Sequence, residues 1–245
     1  MKRNKIAVVV PTYNNADTIA DVVKRVQNYC DDIIVVDDGC TDNTLEQLNA
    51  LHRIPTILSY SPNRGKGHAL TSGFNKAKAM GFEHVVTLDS DGQHFPEDIP
   101  ALIEAFMQHP GALIVGDRGT GHENMPKGNA FANKFSNFWF RLQTGIAIND
   151  TQTGFRLYPI KSRRWLGLTT SRYEAELEML VFAAWHNIEI VPVRVRVHYL
   201  PLGERVTHFR PYMDFSRISL LNVALCFGAI IYGWPMWVYH KVARK

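Results

Sequence analysis

The sequence predicts an α/β protein built on a doubly wound, mainly parallel sheet. Short apolar runs rich in β-branched residues, typical of strands buried on both faces, alternate with segments whose apolar residues recur at helical spacing. Of the 245 residues, 46% are hydrophobic and 20% are charged, which is typical of a soluble globular domain. Polar motifs follow three of the predicted strands, at the edge where such sheets bind ligands.

The first half of the chain alternates strands and helices in regular order. Apolar runs predict five strands, over residues 6–10, 33–36, 56–60, 85–88 and 112–115. Between them, helical spacing predicts four helices, around residues 19–26, 45–51, 68–80 and 96–106. Pro96 suits the first turn of the last helix. Strands joined by helices in this way run parallel, with right-handed crossovers.

The second half of the chain is less regular. Helical spacing predicts helices over residues 129–142 and 173–185. Alternation of valine with polar residues predicts a half-buried strand over 193–197. We divide the chain into a main catalytic domain, residues 1–210, and a basic, apolar helical segment, residues 211–245.

The charge is unevenly distributed. The chain carries 27 basic and 23 acidic residues, and a net charge of +4 does not by itself indicate nucleic-acid binding, so no nucleic-acid partner is expected. Residues 194–245 contain eight basic and two acidic residues, beside the most apolar stretch. The three cysteines lack CxxC spacing, which argues against a disulfide framework or a zinc site and fits a reducing compartment. The polar N-terminus leads directly into a strand, and no signal peptide is predicted.

Asp89-Ser90-Asp91 follows the fourth predicted strand. Two carboxylates at this spacing can offer oxygens to one hard cation, and Mg²⁺ prefers a few carboxylates together with phosphate oxygens and water. Such an ion would neutralise a leaving diphosphate. Gln93 and His94 are close enough in sequence to join the site. The alternative is a polar turn in which an aspartate acts as a cap.

Two further motifs follow predicted strands. Asp37-Asp38 could hydrogen-bond a base or ribose, or could belong to a helix-capping turn with Thr41 and Asp42. The Gly-rich, basic loop 63–67 precedes a helix, where backbone amides suit an anion. It matches neither a P-loop nor a full GxGxxG motif. The alternative is a tight turn with solvated charge.

The segment 149–156 concentrates an acid, amides, hydroxyls and a guanidinium. Asp150 could act as a base or orient an acceptor, and Arg156 could bind phosphate through two parallel hydrogen bonds. The alternative is a structural turn with a salt bridge.

Together these motifs resemble the family 2 glycosyltransferases, most closely the dolichyl-phosphate mannosyltransferase-like, or polyprenyl-phosphate glycosyltransferase, branch. The resemblance covers roughly residues 6–200. It is carried by residues 9–14, 35–42, 63–67, 88–93, 116–118 and 150–156. It implies the GT-A fold and an inverting transfer of a hexose from a nucleotide diphosphate sugar, of the GDP-mannose or UDP-glucose type.

The motifs and the resemblance together assign expected roles to individual residues. The donor-binding candidates are Pro11, Tyr13, Asp37, Asp38, Arg64, Lys66 and Asp89. The candidate ligands for Mg²⁺ or Mn²⁺ are Asp89, Asp91 and Gln93. The catalytic candidates are Asp91, Asp150 and Arg156. The acceptor-phosphate candidates are Arg118, Lys127 and Asn129. The chain departs from the family pattern at Asp117, where serine is frequent, and at Met125 and Asn129, where arginine and serine are frequent; Lys127 is a possible substitute cation.

Two acceptors and one non-enzymatic role stay open at this stage. A lipid phosphate is already ionised at neutral pH, so the enzyme mainly positions the reactants and stabilises charge. A hydroxyl of a glycan or glycolipid needs a base, for which Asp150 is the candidate. An inactive nucleotide-sugar-binding subunit is the third alternative.

Residues 218–239 carry no charge and are long enough to span a membrane. Polar residues, two glycines and Pro235 weaken a simple span. Basic residues flank both ends, whereas a single span would export one of the two basic flanks. We therefore expect a peripheral or re-entrant segment on an anionic membrane surface, at its cytoplasmic face. The alternatives are a buried terminal helix or an oligomer contact.

Overall fold

The computed structural model describes residues 5–119, 127–161, 169–199 and 211–243. The strands in this part of the chain are β1 (Ile6–Thr12), β2 (Ile33–Asp37), β3 (Thr56–Ser59), β4 (His84–Thr87), β5 (Leu113–Asp117), β6 (Arg156–Pro159) and β7 (Ile190–Arg194). The helices are α1 (Ala16–Val26), α2 (Thr44–Asn49), α3 (Lys66–Ala79), α4 (Ile99–Gln108), α5 (Lys127–Thr144), α6 (Glu174–Trp185), α7 (Pro211–Gly228) and α8 (Trp234–Ala243). A 3₁₀ turn, Pro96–Asp98, precedes α4, and a π turn, Ala229–Gly233, joins α7 to α8.

The seven described strands form one sheet in the order β3-β2-β1-β4-β6-β5-β7. β3, β2, β1 and β4 pair in parallel, as do β5 and β7, whereas β6 is antiparallel to both of its neighbours. The predicted class, a doubly wound and mainly parallel sheet, is therefore confirmed. The carboxyl ends of β1, β2 and β4 meet at one edge, where the polar motifs lie.

Two strands differ from the sequence prediction. β6 begins at the last residue of the polar motif 149–156 and is not predicted, because its four residues start with an arginine and end with a proline and so form no apolar run. β7 spans Ile190–Arg194 rather than 193–197. Its ladder with β5 begins at Leu113 opposite Ile190 and ends at Asp117 opposite Arg194. The alternating pattern continues past the strand, so periodicity alone does not mark where pairing stops.

Helices cover both faces of the sheet. Along β1, Ala7 and Val9 face the side covered by α3, α5 and α6, whereas Ile6, Val8 and Val10 face α1, α2 and α4. All five of these side chains are fully buried. Burying a valine or isoleucine contributes roughly 1.5–3 kcal/mol. The two apolar layers therefore hold rigid the strand whose end carries the first polar motif.

α7, the π turn and α8 form one continuous helical segment, which we call the C-terminal helix. Its inner side contacts α5 and α6. Pro235 does not end it; this residue lies just after the π turn, where the regular α-helical hydrogen bonding is already interrupted. Among the described residues, one helix, Met213–Tyr239, is long and apolar enough to cross a membrane by length and composition.

Candidate active site

A pocket of about 880 Å³ opens at the carboxyl ends of β1, β2 and β4. Residues from five separate parts of the chain line it: 11–15, the loop after β2, the loop after β3 with the start of α3, the segment after β4, and the two residues before α6. Of the predicted site residues, those in its wall are Pro11, Tyr13, Asp38, Lys66, Asp89, Asp91 and Gln93. The parallel topology therefore brings together motifs that are up to 80 residues apart in sequence.

The Asp37-Asp38 pair holds the pocket wall in place. Asp37 is buried and outside the pocket lining; its carboxylate accepts hydrogen bonds from the Cys40 amide at 2.7 Å and the Ser59 hydroxyl at 2.5 Å. Asp38 accepts hydrogen bonds from the amides of Arg64 and Gly65, both at 2.8 Å. The predicted direct donor contact does not fit Asp37, because its two oxygens already bind the loops that form the wall.

The Gly-rich loop 63–67 contributes one side-chain cation to the pocket. The Lys66 side chain lines the pocket, whereas Arg64 is exposed outside it and donates to His68 Nε2 at 3.1 Å. The prediction that Arg64 binds the donor therefore does not fit its position outside the pocket. Gly67 is needed for close packing, since a Cβ there would lie 2.4 Å from that of Ala175. This close approach of α3 to α6 places Lys66 beside α6.

Lys66 bridges two carboxylates at the inner end of the pocket. Its Nζ lies 2.6 Å from Asp89 Oδ1 and 3.1 Å from Glu176 Oε2. Burial alone would lower the pKa of Lys66, but the charges of Asp89 and Glu176 outweigh it and raise this pKa. Burial alone would raise the pKa of Asp89, but the Lys66 charge outweighs it and lowers this pKa. At neutral pH, Lys66 and Asp89 are therefore a charged pair.

Asp91 and His94 complete the acidic end of the pocket. Burial, and then the charge of Asp89, raise the pKa of Asp91 to about 6. Asp91 Oδ1 accepts a hydrogen bond from the Gln93 amide at 3.0 Å. Burial lowers the pKa of His94 to about 4, so its ring is neutral at pH 7, with Nε2 3.9 Å from Asp89 Oδ2.

The residues present fit a divalent cation that a substrate phosphate helps to hold. No group of three or more His, Cys, Asp or Glu side chains placed for a metal occurs among the described residues. Asp89 and Asp91 supply two carboxylates, and burial together with the charge of Asp89 raises the pKa of Asp91. Mg²⁺ sites commonly use one or two carboxylates, with substrate phosphates and water as the other ligands.

Arg118 and Asp150 form a buried, two-pronged ion pair. Arg118 Nε and Nη2 donate to the two Asp150 oxygens at 2.6 and 2.9 Å. Burial alone would raise the pKa of Asp150, but the hydrogen bonds and charge of Arg118 outweigh it and lower this pKa. Asp150 is only 2% exposed. The predicted role of Asp150 as a general base does not fit these contacts, because its oxygens are occupied and its proton affinity is reduced.

The remaining residues of the predicted acceptor region are Asp117, where the chain departs from the family pattern, and the candidates Lys127 and Asn129. Asp117, a departure from the family pattern, accepts from the Gly119 amide at 2.7 Å and from Asn149 Nδ2 at 3.2 Å. Lys127 and Asn129 lie in the first turn of α5, and their side chains fall outside the described part of the structure, as does all of Met125.

Arg156 is not positioned for phosphate. β6 directs its side chain into the core, where it is completely buried. Its guanidinium donates to the carbonyls of Thr153, Thr151 and Glu176, at 2.7, 2.8 and 2.8 Å. The predicted catalytic role of Arg156 is therefore wrong on geometric grounds. This arginine joins the turn before β6 to α6, which carries Glu176.

Sequence reasoning missed the contribution of α6. Arg172 and Tyr173, just before the helix, line the pocket. Glu176, inside the helix, contacts Lys66. The available signal was the placement of Glu174, Glu176 and Glu178 in an otherwise apolar helix, because buried carboxylates usually have partners. Glu178 accepts hydrogen bonds from the amides and hydroxyls of Thr169 and Thr170.

Comparisons with known proteins agree with this fold and pocket. The sequence model of the family described as "glycosyl transferase family 2" matches residues 7–161 of this chain. The chain is 30% identical over 215 residues to UDP-N-acetylglucosamine--dolichyl-phosphate N-acetylglucosaminyltransferase of Methanococcus voltae, covering 79% of this chain and 86% of that protein. It is 26% identical to undecaprenyl-phosphate mannosyltransferase of Micrococcus luteus, covering 82% and 86%.

Solved structures show the same fold. Glucosyl-3-phosphoglycerate synthase from Mycobacterium tuberculosis, in complex with Mn²⁺, UDP and glucosyl-3-phosphoglycerate, superposes with a TM-score of 0.63 at 22% identity, covering 91% of this chain and 79% of that chain. S. aureus TarS 1–349 in complex with UDP-GlcNAc has a TM-score of 0.56 at 18% identity, covering 90% and 66%. With its fold, its pocket and these relatives, the chain belongs to glycosyl transferase family 2 and is a glycosyltransferase of the GT-A fold.

Proposed function

We propose that this enzyme transfers a hexose, with inversion, from a nucleotide diphosphate sugar to a polyprenyl or dolichyl phosphate. The names of the M. voltae and M. luteus relatives specify dolichyl and undecaprenyl phosphate acceptors. The observation that carries the choice of acceptor is the Arg118–Asp150 pair, which leaves Asp150 unsuited to deprotonate a hydroxyl. A phosphate acceptor is ionised already and needs no such base.

The donor half of the reaction uses the pocket at the strand ends. Pro11, Tyr13 and Asp38 line the part assigned to the nucleotide. Asp89 and Asp91, with Gln93 nearby, would hold Mg²⁺ or Mn²⁺ on the diphosphate. When bound, that ion supplies positive charge to the leaving diphosphate.

Lys66 supplies a fixed positive charge from the protein itself. Its ammonium, at the first residue of α3, is held by two carboxylates and is only 17% exposed. A cation held in a partly dehydrated site stabilises developing negative charge more strongly than one in water. We assign Lys66 to the stabilisation of the diphosphate as it leaves, beside Asp89.

The acceptor half of the reaction depends on positioning. Asp150 fixes the orientation of the charged Arg118 guanidinium through two hydrogen bonds. A guanidinium held in this way can orient an anionic acceptor for in-line attack without moving a proton. We assign Arg118 to the acceptor phosphate, with Lys127 and Asn129, at the start of α5, as further candidates.

Two other functions receive less support. A hydroxyl acceptor would need a base, and Asp150 is paired and buried. An inactive nucleotide-sugar-binding subunit would not need the Asp89, Asp91 and Lys66 constellation, which places opposite charges where a diphosphate would leave.

The lipid acceptor implies a membrane surface as partner. The C-terminal helix exposes large apolar side chains, among them Leu220, Phe227 and Ile231. The last 52 residues carry eight basic and two acidic residues, which favours an anionic surface. We propose that the enzyme works at the cytoplasmic face of a membrane.

The test is a matrix of donors and acceptors with purified full-length protein. GDP-mannose, UDP-glucose and UDP-N-acetylglucosamine are each paired with undecaprenyl phosphate, dolichyl phosphate or undecaprenol, with Mn²⁺ or Mg²⁺. We expect a sugar-phosphate-lipid product with one donor, lost on adding EDTA and absent with undecaprenol. Transfer to undecaprenol but not to its phosphate would contradict the proposal, as would donor binding without turnover with any acceptor.

A further inference from the structure

Two helices that contact each other, α5 and the C-terminal helix, both expose large apolar side chains. α5 contributes Phe131 and Phe138, which are 65% and 61% exposed. The C-terminal helix contributes Leu220, Phe227, Ile231 and Trp237. We call these six residues the apolar platform. Exposed apolar surface of this extent is unusual on a soluble protein and marks an interaction site.

An aromatic row joins the two helices of the platform. Phe131 stacks on Phe135 with ring centroids 6.2 Å apart, and Phe135 lies 5.5 Å from Phe215 of α7. The α5 side chains thus continue the surface of the C-terminal helix. This contribution was invisible in the sequence, where α5 and α7 are separated by about 66 residues.

The opposite side of the C-terminal helix is attached firmly to the catalytic body. Leu221, Leu225 and Ala229, at four-residue intervals, are buried against α5 and α6. In a regular α-helix this spacing would drift around the axis, and the wider π turn after Gly228 counters the drift. A buried hydrogen bond also fixes the rotation of α7 against α5: Gln143 Nε2 donates to Asn222 Oδ1 at 2.9 Å.

Trp185 fixes the π turn to α6. Its indole lies against Gly228 and Gly233, where a Cβ would come within 2.8 and 2.4 Å of the ring. Its Nε1 donates to the carbonyl of Gln143 at 3.1 Å. Two glycines are therefore required where the helix passes over the tryptophan.

These attachments leave too little free helix to cross a bilayer. Buried positions extend from Asp214 to Gly233, which at 1.5 Å per residue is roughly 30 Å. That length equals about the whole hydrocarbon thickness of a membrane. A crossing helix would have to detach from the body or draw α6 and its glutamates into the hydrocarbon.

We infer that α5 and the C-terminal helix form one membrane-docking surface, on which the C-terminal helix lies in the plane of the bilayer and does not cross it. The chosen occupant is a bilayer with anionic headgroups. The basic residues that flank the uncharged run in sequence match the negative charge of such a bilayer; they are Arg210, Arg217, Lys241, Arg244 and Lys245. Trp234, Trp237 and Tyr239, near one end of the helix, suit its interface. The inference rests on the proposed lipid acceptor and specifies how the enzyme meets it.

The C-terminal helix is connected to the pocket through α6. α7 packs against α6, and Arg172 and Tyr173, which come just before α6, line the pocket. An isoprenoid chain lying on the platform would bring its phosphate to the same side of the molecule as the active site.

Flotation with vesicles of phosphatidylcholine and phosphatidylglycerol tests the contribution of α5. The vesicles contain neither donor nor acceptor, so the result does not depend on the proposed reaction. We expect Phe131→Ser with Phe138→Ser to weaken binding about tenfold. The control is Ile54→Ser with Met107→Ser, two similarly exposed positions, 57% and 56%, outside the platform. Unchanged binding by the α5 variant with an unchanged melting temperature would overturn the two-helix surface.

Depth measurements test the orientation. A nitrobenzoxadiazole label is attached at Leu220→Cys or Ile231→Cys, with Cys40 and Cys226 replaced by serine, and is quenched by lipids brominated at different depths. We expect both labels at one shallow depth. Labels differing by about 16 Å, the rise of 11 helical residues, would show a crossing helix instead. A stable dimer that does not bind vesicles would show that a second copy covers the platform.

Discussion

The proposed donor and acceptor sides of the active site differ in what their charged residues contact. At the ends of β1, β2 and β4, Lys66, Asp89 and Asp91 line an open pocket, and Lys66 and Asp89 pair with each other inside it. Around β5 and β6, Asp150 binds Arg118 and Arg156 binds three backbone carbonyls. Both sides show equally polar motifs in sequence. Similar polar motifs therefore differ in whether folding leaves them lining a pocket or buries them against the rest of the chain.

The largest effect is expected on the donor side, at Asp91. Asp91→Ala removes one of the two carboxylates that face a bound cation, and we expect turnover to fall by about a thousandfold or more. The measurement is sugar transfer together with Mn²⁺ binding in the presence of nucleotide. Asp21→Ala, at an exposed carboxylate on α1, is the control. Near-normal transfer by Asp91→Ala would remove Asp91 from the metal site.

Lys66 comes next, as the cation that the protein supplies itself. Lys66→Met leaves Asp89 and Glu176 without their counter-ion, and we expect kcat to fall by about a hundredfold. The matched control is Arg64→Ala, an exposed cation on the same loop, for which less than about a twofold change is expected because it is outside the pocket. Equal losses in both variants would mean that the loop acts through its total charge rather than through Lys66.

Replacing Arg156 should lower the stability of the protein more than it changes sugar transfer. Arg156→Met takes a hydrogen-bond donor away from each of three buried carbonyls and leaves the arginine's place unfilled by charge, and we expect about 3–5 kcal/mol loss in the free energy of unfolding. Denaturant unfolding measures this loss, and the KM for donor in the folded fraction should be little changed. A stable variant that had lost transfer alone would restore the discarded catalytic role.

The smallest effect is expected at Asp150. Asp150→Asn unpairs Arg118 and should cost about 2–3 kcal/mol. Because the folded pKa of Asp150 lies below its unfolded value, its stabilisation is present above the unfolded pKa and is lost as pH falls through the folded pKa. The variant should therefore show a flatter loss of stability in acid.

Transfer assays separate this structural role from base catalysis. We expect Asp150→Asn to retain measurable transfer to a lipid phosphate, with a raised KM for that acceptor. Complete loss of kcat in a protein that remains folded would indicate a base, and the two halves of the site would then not differ as proposed.

Prediction from sequence succeeded where local patterns and topology agree. The buried runs ahead of Pro11, Asp37 and Asp89 identified three strands, and parallel connection placed their ends at one edge. β6 was missed because its four residues, Arg156–Pro159, start with a charged residue, end with a proline and form no apolar run. The contribution of α6 was missed because no local pattern indicates that Glu176 meets Lys66.

The C-terminal segment shows the same division. Its composition predicted association with a membrane surface, because an uncharged run with basic flanks is apparent in sequence. That α5 joins it, and that Trp185 holds the π turn to the body, depended on contacts between distant segments.

The fold class, the motifs at the strand ends and the family could be read from the sequence, because buried strands and the polar residues after them are local features of the chain. Which charged groups line the pocket depended on contacts between distant parts of the chain. Asp91 and Lys66 face a pocket, whereas Asp150 and Arg156 face partners brought to them by other elements. The physical reason is that the energy of a buried charge depends on its neighbours in space, and folding chooses those neighbours.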